Sequence, residues 1–229
     1  MFAKYKTTYP NEKVNLVYSY TSILKMKVDG VIVINPIYYY TFNNPGEHEV
    51  YIKFSISLSF MDLFYEIKHV TYIEFLPKAK KFDISYMNDC FYGCINLEYV
   101  DLSNLDLTNN HCFMNFFSGD KSLKTVKFPN KPFSNIYWYY NMFKGCESLT
   151  SIDMSMISNT NGEYFYQMFY GCKNLQFIDL SNFNKFYNGY SKYSIFYNVP
   201  KNANIKIHNN FFNTVQDQLI EYSDVQKFP

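Results

Sequence analysis

Cysteine and histidine are the residues in this chain best equipped for chemistry, and their spacing argues against a catalytic or metal-binding use. The five cysteines are Cys90, Cys94, Cys112, Cys146 and Cys172. A nucleophilic thiol needs a base or a positive field beside it, and a zinc site needs Cys and His at short, matched spacings. Cys90 and Cys94 lie close in sequence but have no histidine at metal-site spacing, and an odd count cannot complete a disulfide framework. His48, His69, His111 and His208 are scattered and belong to no recurring motif. No Gly-x-Ser-x-Gly elbow, His-Glu-x-x-His helix or phosphate loop occurs. The expectation is a protein that is not an enzyme and uses no metal or cofactor.

Three of the cysteines instead mark a repeat. "GCINLEYVDLSNLD" from Gly93, "GCESLTSIDMSMIS" from Gly145 and "GCKNLQFIDLSNFN" from Gly171 are near copies. Anchoring each copy on the preceding phenylalanine gives six units, at Phe64, Phe91, Phe117, Phe143, Phe169 and Phe196, spaced by 27, 26, 26, 26 and 27 residues. That even period is the signature of a stacked solenoid, in which no unit can bury its apolar face alone. Six residues after the anchor stand Val70, Leu97, Leu123, Leu149 and Leu175, with Asn202 as the exception. Nine after stand Ile73, Val100, Val126, Ile152, Ile178 and Ile205, and eleven after stand Phe75, Leu102, Phe128, Met154, Leu180 and Ile207. These last two columns alternate with polar residues, the pattern of a half-buried strand.

Parallel strands are therefore predicted at Tyr72–Phe75, Tyr99–Leu102, Thr125–Phe128, Ser151–Met154, Phe177–Leu180 and Asn204–Ile207. Before the anchors, apolar residues such as Ile84, Met87, Cys90 and Phe91 are spaced by three and then one. That spacing suits a short helical or 3₁₀ turn lying on the strand layer. Three after the anchor, Ile67, Cys94, Asp120, Cys146, Cys172 and Val199 describe a small buried slot, so the cysteines read as packing residues. Cys146 and Cys172 fall in adjacent units, close enough to pair as a disulfide or to remain thiols. The fold class expected is an α/β repeat: a short leucine-rich-repeat-type solenoid with parallel strands, preceded by a small antiparallel β unit.

"MFKGCESLTSIDMS" and "MFYGCKNLQFIDLSNFN" resemble the BspA-like leucine-rich repeats, a family associated with surface proteins of bacteria and protists. The likeness runs from about Phe60 to Asn210 and implies a binding or adhesion module. The unit at Phe117 departs from it by carrying Gly119-Asp120 where the others carry Gly-Cys. An asparagine ladder after the strand is also out of register, since Asn104 and Asn182 are shifted by one and the other units lack it.

The ends must cover the stack. Residues 14–58 read as antiparallel β structure, with "ILKMKV" and "VIVI" flanking the hairpin signal Asp29-Gly30, and a second turn at Asn43 to Gly46. At the other end Val215, Leu219 and Ile220 have helical spacing. The organisation predicted is an Ig-like or capping unit over 1–60, the solenoid over 61–210 and a helical cap over 211–229.

The 21 basic residues are all lysine, and Tyr 24 and Phe 23 bring aromatics to 21%. AT-rich coding accounts for both features. A net charge of +1 without arginine disfavours nucleic acid, and no apolar run is long enough for membrane insertion. The N-terminal "MFAKYKTTYPNEK" lacks a signal peptide's apolar core. What remains is a surface. The solvent side of the strands presents Tyr72, Glu74, Tyr99, Asp101, Lys127, Asp153, Phe177 and Asp179, suited to a protein or glycan partner through aromatic stacking and carboxylate hydrogen bonds. The plainer alternative is a solvated sheet on which Lys127 relieves repulsion between Asp101 and Asp153. Trp138, in "NIYWYYNMF", is a further interface candidate or part of an aromatic stack between units. The functional expectation is an adhesion module at a cell surface or outside the cell. The alternatives are a structural decoration on a phage virion surface and an intracellular scaffold, with oligomerisation through the N-terminal β unit favouring the virion.

Overall fold

Each repeat contributes one short strand, and the strands stack in parallel because their inward columns are apolar. The computed structural model describes residues 1–18, 23–55, 59–77, 82, 84–158, 162–184 and 193–229. The antiparallel β structure expected over 14–58 includes residues 19–22 and 56–58, which lie outside the described residues. Ahead of the repeats come β1 (Phe2–Thr7), β2 (Glu12–Asn15), β3 (Ile23–Val28), β4 (Val31–Val33), β5 (Tyr39–Phe42) and β6 (Gly46–Phe54). The repeats supply β7 (Val70–Glu74), β8 (Tyr99–Asp101), β9 (Thr125–Lys127), β10 (Ser151–Asp153), β11 (Phe177–Leu180) and β12 (Asn204–His208). All six lie where the alternation placed them, and Ile73↔Val100↔Val126 and Ile152↔Ile178↔Ile205 pair in register. The leucine column after the anchors is fully buried from Val70 to Leu175, whereas Asn202 is exposed. Leu149→Ala should therefore cost about 2–5 kcal/mol, readable as a lower midpoint in urea unfolding.

Between strands the six anchors form a continuous phenylalanine ladder. Successive ring centroids are 5.4, 5.1, 5.5, 5.7 and 6.0 Å apart, with interplanar angles of 16° or less. The segment around each anchor is a series of tight turns, each closed by a bond to the residue three back, where the spacing suggested a short helical or 3₁₀ turn. The physical reason is the backbone two residues to either side. The residues two before the anchors, Asp62, Asp89, Asn115, Asn141, Gln167 and Ser194, all have φ between 52 and 57°. Two after the anchors the left-handed conformation returns, on Gly93, Gly119, Gly145 and Gly171 and on Glu66 and Asn198. Alternate amides can then turn outward. Asp89, Phe91 and Gly93 donate to Met114, Phe116 and Ser118 of the next unit, while Cys90, Tyr92 and Cys94 donate back within their own. A helix would keep all of these bonds inside one unit; the turns use half of them to hold neighbours together.

The asparagine ladder sought after the strand is found instead in the first of these columns. Asn115 Nδ2 donates to Asp89 Oδ1 and Asn141 Nδ2 to Asn115 Oδ1, both at 2.9 Å. Asn and Asp tolerate the left-handed conformation best among residues with a side chain, so one position serves both needs.

The strands do not form a single sheet. One sheet runs β4-β3-β6-β1-β7-β8-β9, and a second runs β10-β11-β12-β13, where β13 is Asp224–Phe228. No ladder joins β9 to β10. The turns still connect the two halves, through Phe117 N to Met142 O and Gly119 N to Lys144 O.

Both ends differ in part from expectation. The Asp29-Gly30 hairpin forms, with φ of 48 and 80°, the positive pair that a type I′ turn needs. The strands flanking Asn43–Gly46 do not pair with each other, because β6 is already held between β1 and β3, and β5 pairs with β2 in a small second sheet. The first strand, within a stretch that read as polar, pairs antiparallel with β7 and so carries the sheet of the N-terminal unit straight into the repeats. One buried cluster of the described residues runs from Met1 to Tyr222. At the C-terminus the helix α1 spans Asn209–Val215, earlier than the spacing suggested, and Ile220 is exposed while Leu219 is buried. The 3₁₀ turn Gln216–Gln218 follows, and the chain ends in the strand β13, parallel to β12, so the segment over 211–229 is helical only in its first part. Tyr222 seals the final unit, its hydroxyl donating to the carbonyls of Phe196 and Val199 at 2.9 and 3.2 Å.

Candidate functional site

The nine residues proposed from sequence fall on three surfaces. Tyr72, Glu74, Tyr99, Asp101 and Lys127 share the outer face of β7, β8 and β9. Asp153, Phe177 and Asp179 belong to the separate sheet beginning at β10. Trp138 lies in a third ladder, bridged to Cys112 and Tyr164, away from either strand face. It is 39% exposed beside Tyr164 at 45%, its ring tilted 6.4 Å from Tyr137 of the same unit, while Tyr140 stacks on Tyr166 of the next.

On the first surface the rings face one another. Tyr72 and Tyr99 stack at 4.6 Å with 6° between their planes, and Lys127 Nζ lies 5.4 Å above the free side of Tyr99. On the other side Phe2 from β1 sits 5.7 Å from Tyr72 and 4.8 Å from Tyr51 of β6. Phe2 and Tyr51 were missed by sequence reasoning. In β1 the buried positions are Ala3, Tyr5 and Thr7, small or polar residues that hid the strand's alternation. The faces of Tyr72 and Tyr99 are thus covered, and the strip presents ring edges and hydroxyls.

The carboxylates are likewise engaged. In the Asp-x-Ser motif after the strand, Oδ1 of Asp101, Asp153 and Asp179 accepts the amide of Ser103, Ser155 and Ser181 at 2.9–3.0 Å. Asp101 and Asp179, expected to face solvent, are buried, with Lys127 and Lys206 lying 3.8 and 3.7 Å from them. The turn pulls each carboxylate back onto its own strand end, and the next unit's lysine covers it. Burial raises the Asp101 pKa, but hydrogen bonds from Ser103 and Tyr99 and the charge of Lys127 outweigh it, so the carboxyl stays below the usual range. The Tyr72 hydroxyl donates to Glu74 at 3.2 Å, and burial together with that carboxylate pushes its pKa up to about 12. Thr125 and Lys127 are the fully presented polar groups.

The cysteines are all free and buried, and burial raises every thiol pKa. Cys94, Cys146 and Cys172 each donate from Sγ to the anchor carbonyl of the preceding unit, Phe64, Phe117 and Phe143, at 3.0–3.1 Å. Cys146 and Cys172 are therefore two separate thiols in one packing column.

One constellation has the spacing of a hydrolase triad. His48 Nδ1 is 2.8 Å from Asp29 Oδ2, and its Nε2 is 3.1 Å from Thr7 Oγ1. Nε2 also lies 3.0 Å from the Asn44 carbonyl, and the Thr7 hydroxyl has that carbonyl and the Gly46 carbonyl as acceptors at 3.2 and 3.4 Å, so its proton has acceptors other than the ring. Thr7 is 3% exposed. The group clasps the two N-terminal turns together.

No curated protein and no solved structure matches the chain. The profile of the BspA type leucine-rich repeat region does match, in 6 copies, over residues 17–131 and 88–225. The phenylalanine ladder, the thiol column and the stacked parallel strands are what those copies build, and the chain belongs to the BspA type leucine-rich repeat family.

Proposed function

We propose that this protein is a non-enzymatic binding module whose contact surface is the outer face of β1, β7, β8 and β9, and that its partner is a protein. BspA type repeats suggest an interaction or surface module and are generally binding scaffolds. The observation that carries the choice of partner is the ring stacking on this face. A glycan reader offers open aromatic faces to sugar rings, whereas Tyr72 and Tyr99 spend theirs on each other and on Lys127. Edges, hydroxyls, Thr125 and the Lys127 ammonium form a flat, mixed surface suited to side chains. Adhesion at a cell surface is the role this surface would serve.

The test is to screen the chain against purified secreted and cell-surface proteins beside a glycan array. The variant Thr125→Arg, at an exposed position, should keep the wild-type melting curve and weaken any protein contact at least tenfold. Binding confined to glycans, or a protein contact indifferent to Thr125→Arg, would remove this face as the site. Fractionation of the native source separates adhesion from virion decoration, since the latter would recover the chain at fixed stoichiometry in sedimentable particles.

A further inference from the structure

We propose that the outer edge of β4, with the groove beside it, takes up an extended acidic and apolar segment of a partner protein as an added strand. This surface is distinct from the face formed by β7 to β9 and rests on other observations. Among the described residues β4 pairs only with β3 and ends the seven-stranded sheet. Its side chains are Val31, Ile32 and Val33, with no charge among them, and Val31, Ile32 and the following Ile34 are 66, 68 and 85% exposed. Sheet proteins ordinarily guard such an edge with charge, because a bare apolar strand invites pairing. The opposite end of this molecule follows that rule: β13 carries Asp224, Gln226 and Lys227. Among the described residues the edge strand β5 also lacks charge, but its Phe42 is buried and its tyrosines half-buried, whereas β4 leaves large aliphatic side chains mostly exposed.

The groove identifies the kind of strand that fits. It encloses about 630 Å³ and is lined by Leu24, Ile32 and Tyr51 together with Lys25, Lys27 and Lys53, without an acidic side chain. The register sets Lys27 between Ile32 and Tyr51, and Lys25 opposite Lys53. An arriving strand would exchange main-chain hydrogen bonds with β4, lay alternate apolar side chains on Leu24 and Ile32, and bring carboxylates to the three ammonium groups. A second copy pairing through its own β4 would bring a matching set of lysines toward these, and like charges oppose it. A lipid surface has no use for the strand edge.

Calorimetric titration of the full chain with a short peptide alternating Glu and Val tests this, beside its Lys-for-Glu counterpart and a version N-methylated at alternate amides. The Glu–Val peptide should bind, and the other two at least tenfold more weakly. Lys27→Glu should weaken the Glu–Val peptide at least tenfold with an unchanged melting curve, and Ile32→Asp should do likewise. Absent binding, or equal binding of the N-methylated peptide, overturns the added strand. So does binding only to phosphatidylserine vesicles, or a dimer by light scattering that Ile32→Asp dissolves. Because Thr125→Arg leaves this edge intact, the two surfaces fail or survive separately.

Discussion

Ile178→Asp is expected to unfold the sheet of β10 to β13 while β7 to β9 keep much of their protection. Ile178 is fully buried and stands in register with Ile152 on one side and Ile205 on the other. A carboxylate there has no compensating partner and enters the stack among branched apolar side chains, a change of more than about 4 kcal/mol against a total stability on the order of 5–15 kcal/mol. In a solenoid each unit leans on its neighbours, so loss spreads until it meets a weak interface. The gap between β9 and β10 is that interface, crossed by the turn bonds, the phenylalanine ladder and the single bridges Cys112↔Trp138 and Phe133↔Ile157, but by no pairing of β9 with β10. Amide exchange by mass spectrometry reads the outcome directly. Simultaneous loss across β7 to β12 would mean that these contacts couple the halves as tightly as strand pairing does, and a wild-type melting curve would refute the register.

Asp120→Cys should stabilise the protein at neutral pH. Asp120 occupies the slot that cysteine fills in three other units and is fully buried. Its Oδ1 accepts the Cys94 amide at 2.8 Å, but Oδ2 has no partner among the described residues. Burial raises its pKa well above the ordinary value, and the bond from Cys94 offsets only part of this. The sign follows from linkage. An acid whose folded pKa is raised binds its proton more tightly when folded, so its contribution is most favourable below the unfolded value of about 3.9. Stability is then lost as pH rises from there to the folded pKa, and the loss is complete above it.

A cysteine at 120 would donate to the Phe91 carbonyl as its homologues do in their units. The Cys94 amide would keep its second acceptor, Phe91 O at 3.2 Å. Removing a buried unsatisfied group is worth about 1–3 kcal/mol, or about 2–4 °C per kcal/mol in a chain of this size. The melting temperature of Asp120→Cys should exceed wild type by several degrees at pH 7, with the difference shrinking toward pH 4. Asp120→Asn, which cannot titrate, should show the same loss of pH dependence. An unchanged difference across pH would show that Asp120 is ionised in the native state.

The aspartate was visible in the sequence as the residue that broke the column; that it is orphaned was not. The same division holds for the binding face. Tyr72, Tyr99 and Lys127 were placed on the outside of their strands by alternation alone, and there they lie. The sequence pattern could not show that Asp101 and Asp179 are turned back by the serine two residues on and roofed by the next unit's lysine. The column of Asp62, Asp89, Asn115 and Asn141 was readable in principle, since a polar residue stands two before every anchor.

What the sequence determined by itself is the repeat: its period, its six strands, the phenylalanine anchors and the buried cysteine slot. These are properties of residues near one another in the chain, and copying them at a constant interval forces each copy to sit on the last. Tertiary structure alone decided how the stack is closed and what it shows. Ala3 and Tyr5 turn inward only because β1 finds β7, which frees Phe2 to extend the tyrosine strip. Likewise β13 is a strand because β12 offers an open edge, while Val215 and Leu219 of the expected helical spacing lie before it, in α1 and at the end of the 3₁₀ turn Gln216–Gln218. Pairing across a long separation in the chain depends on which edge remains free, and that is set only after the repeats have stacked.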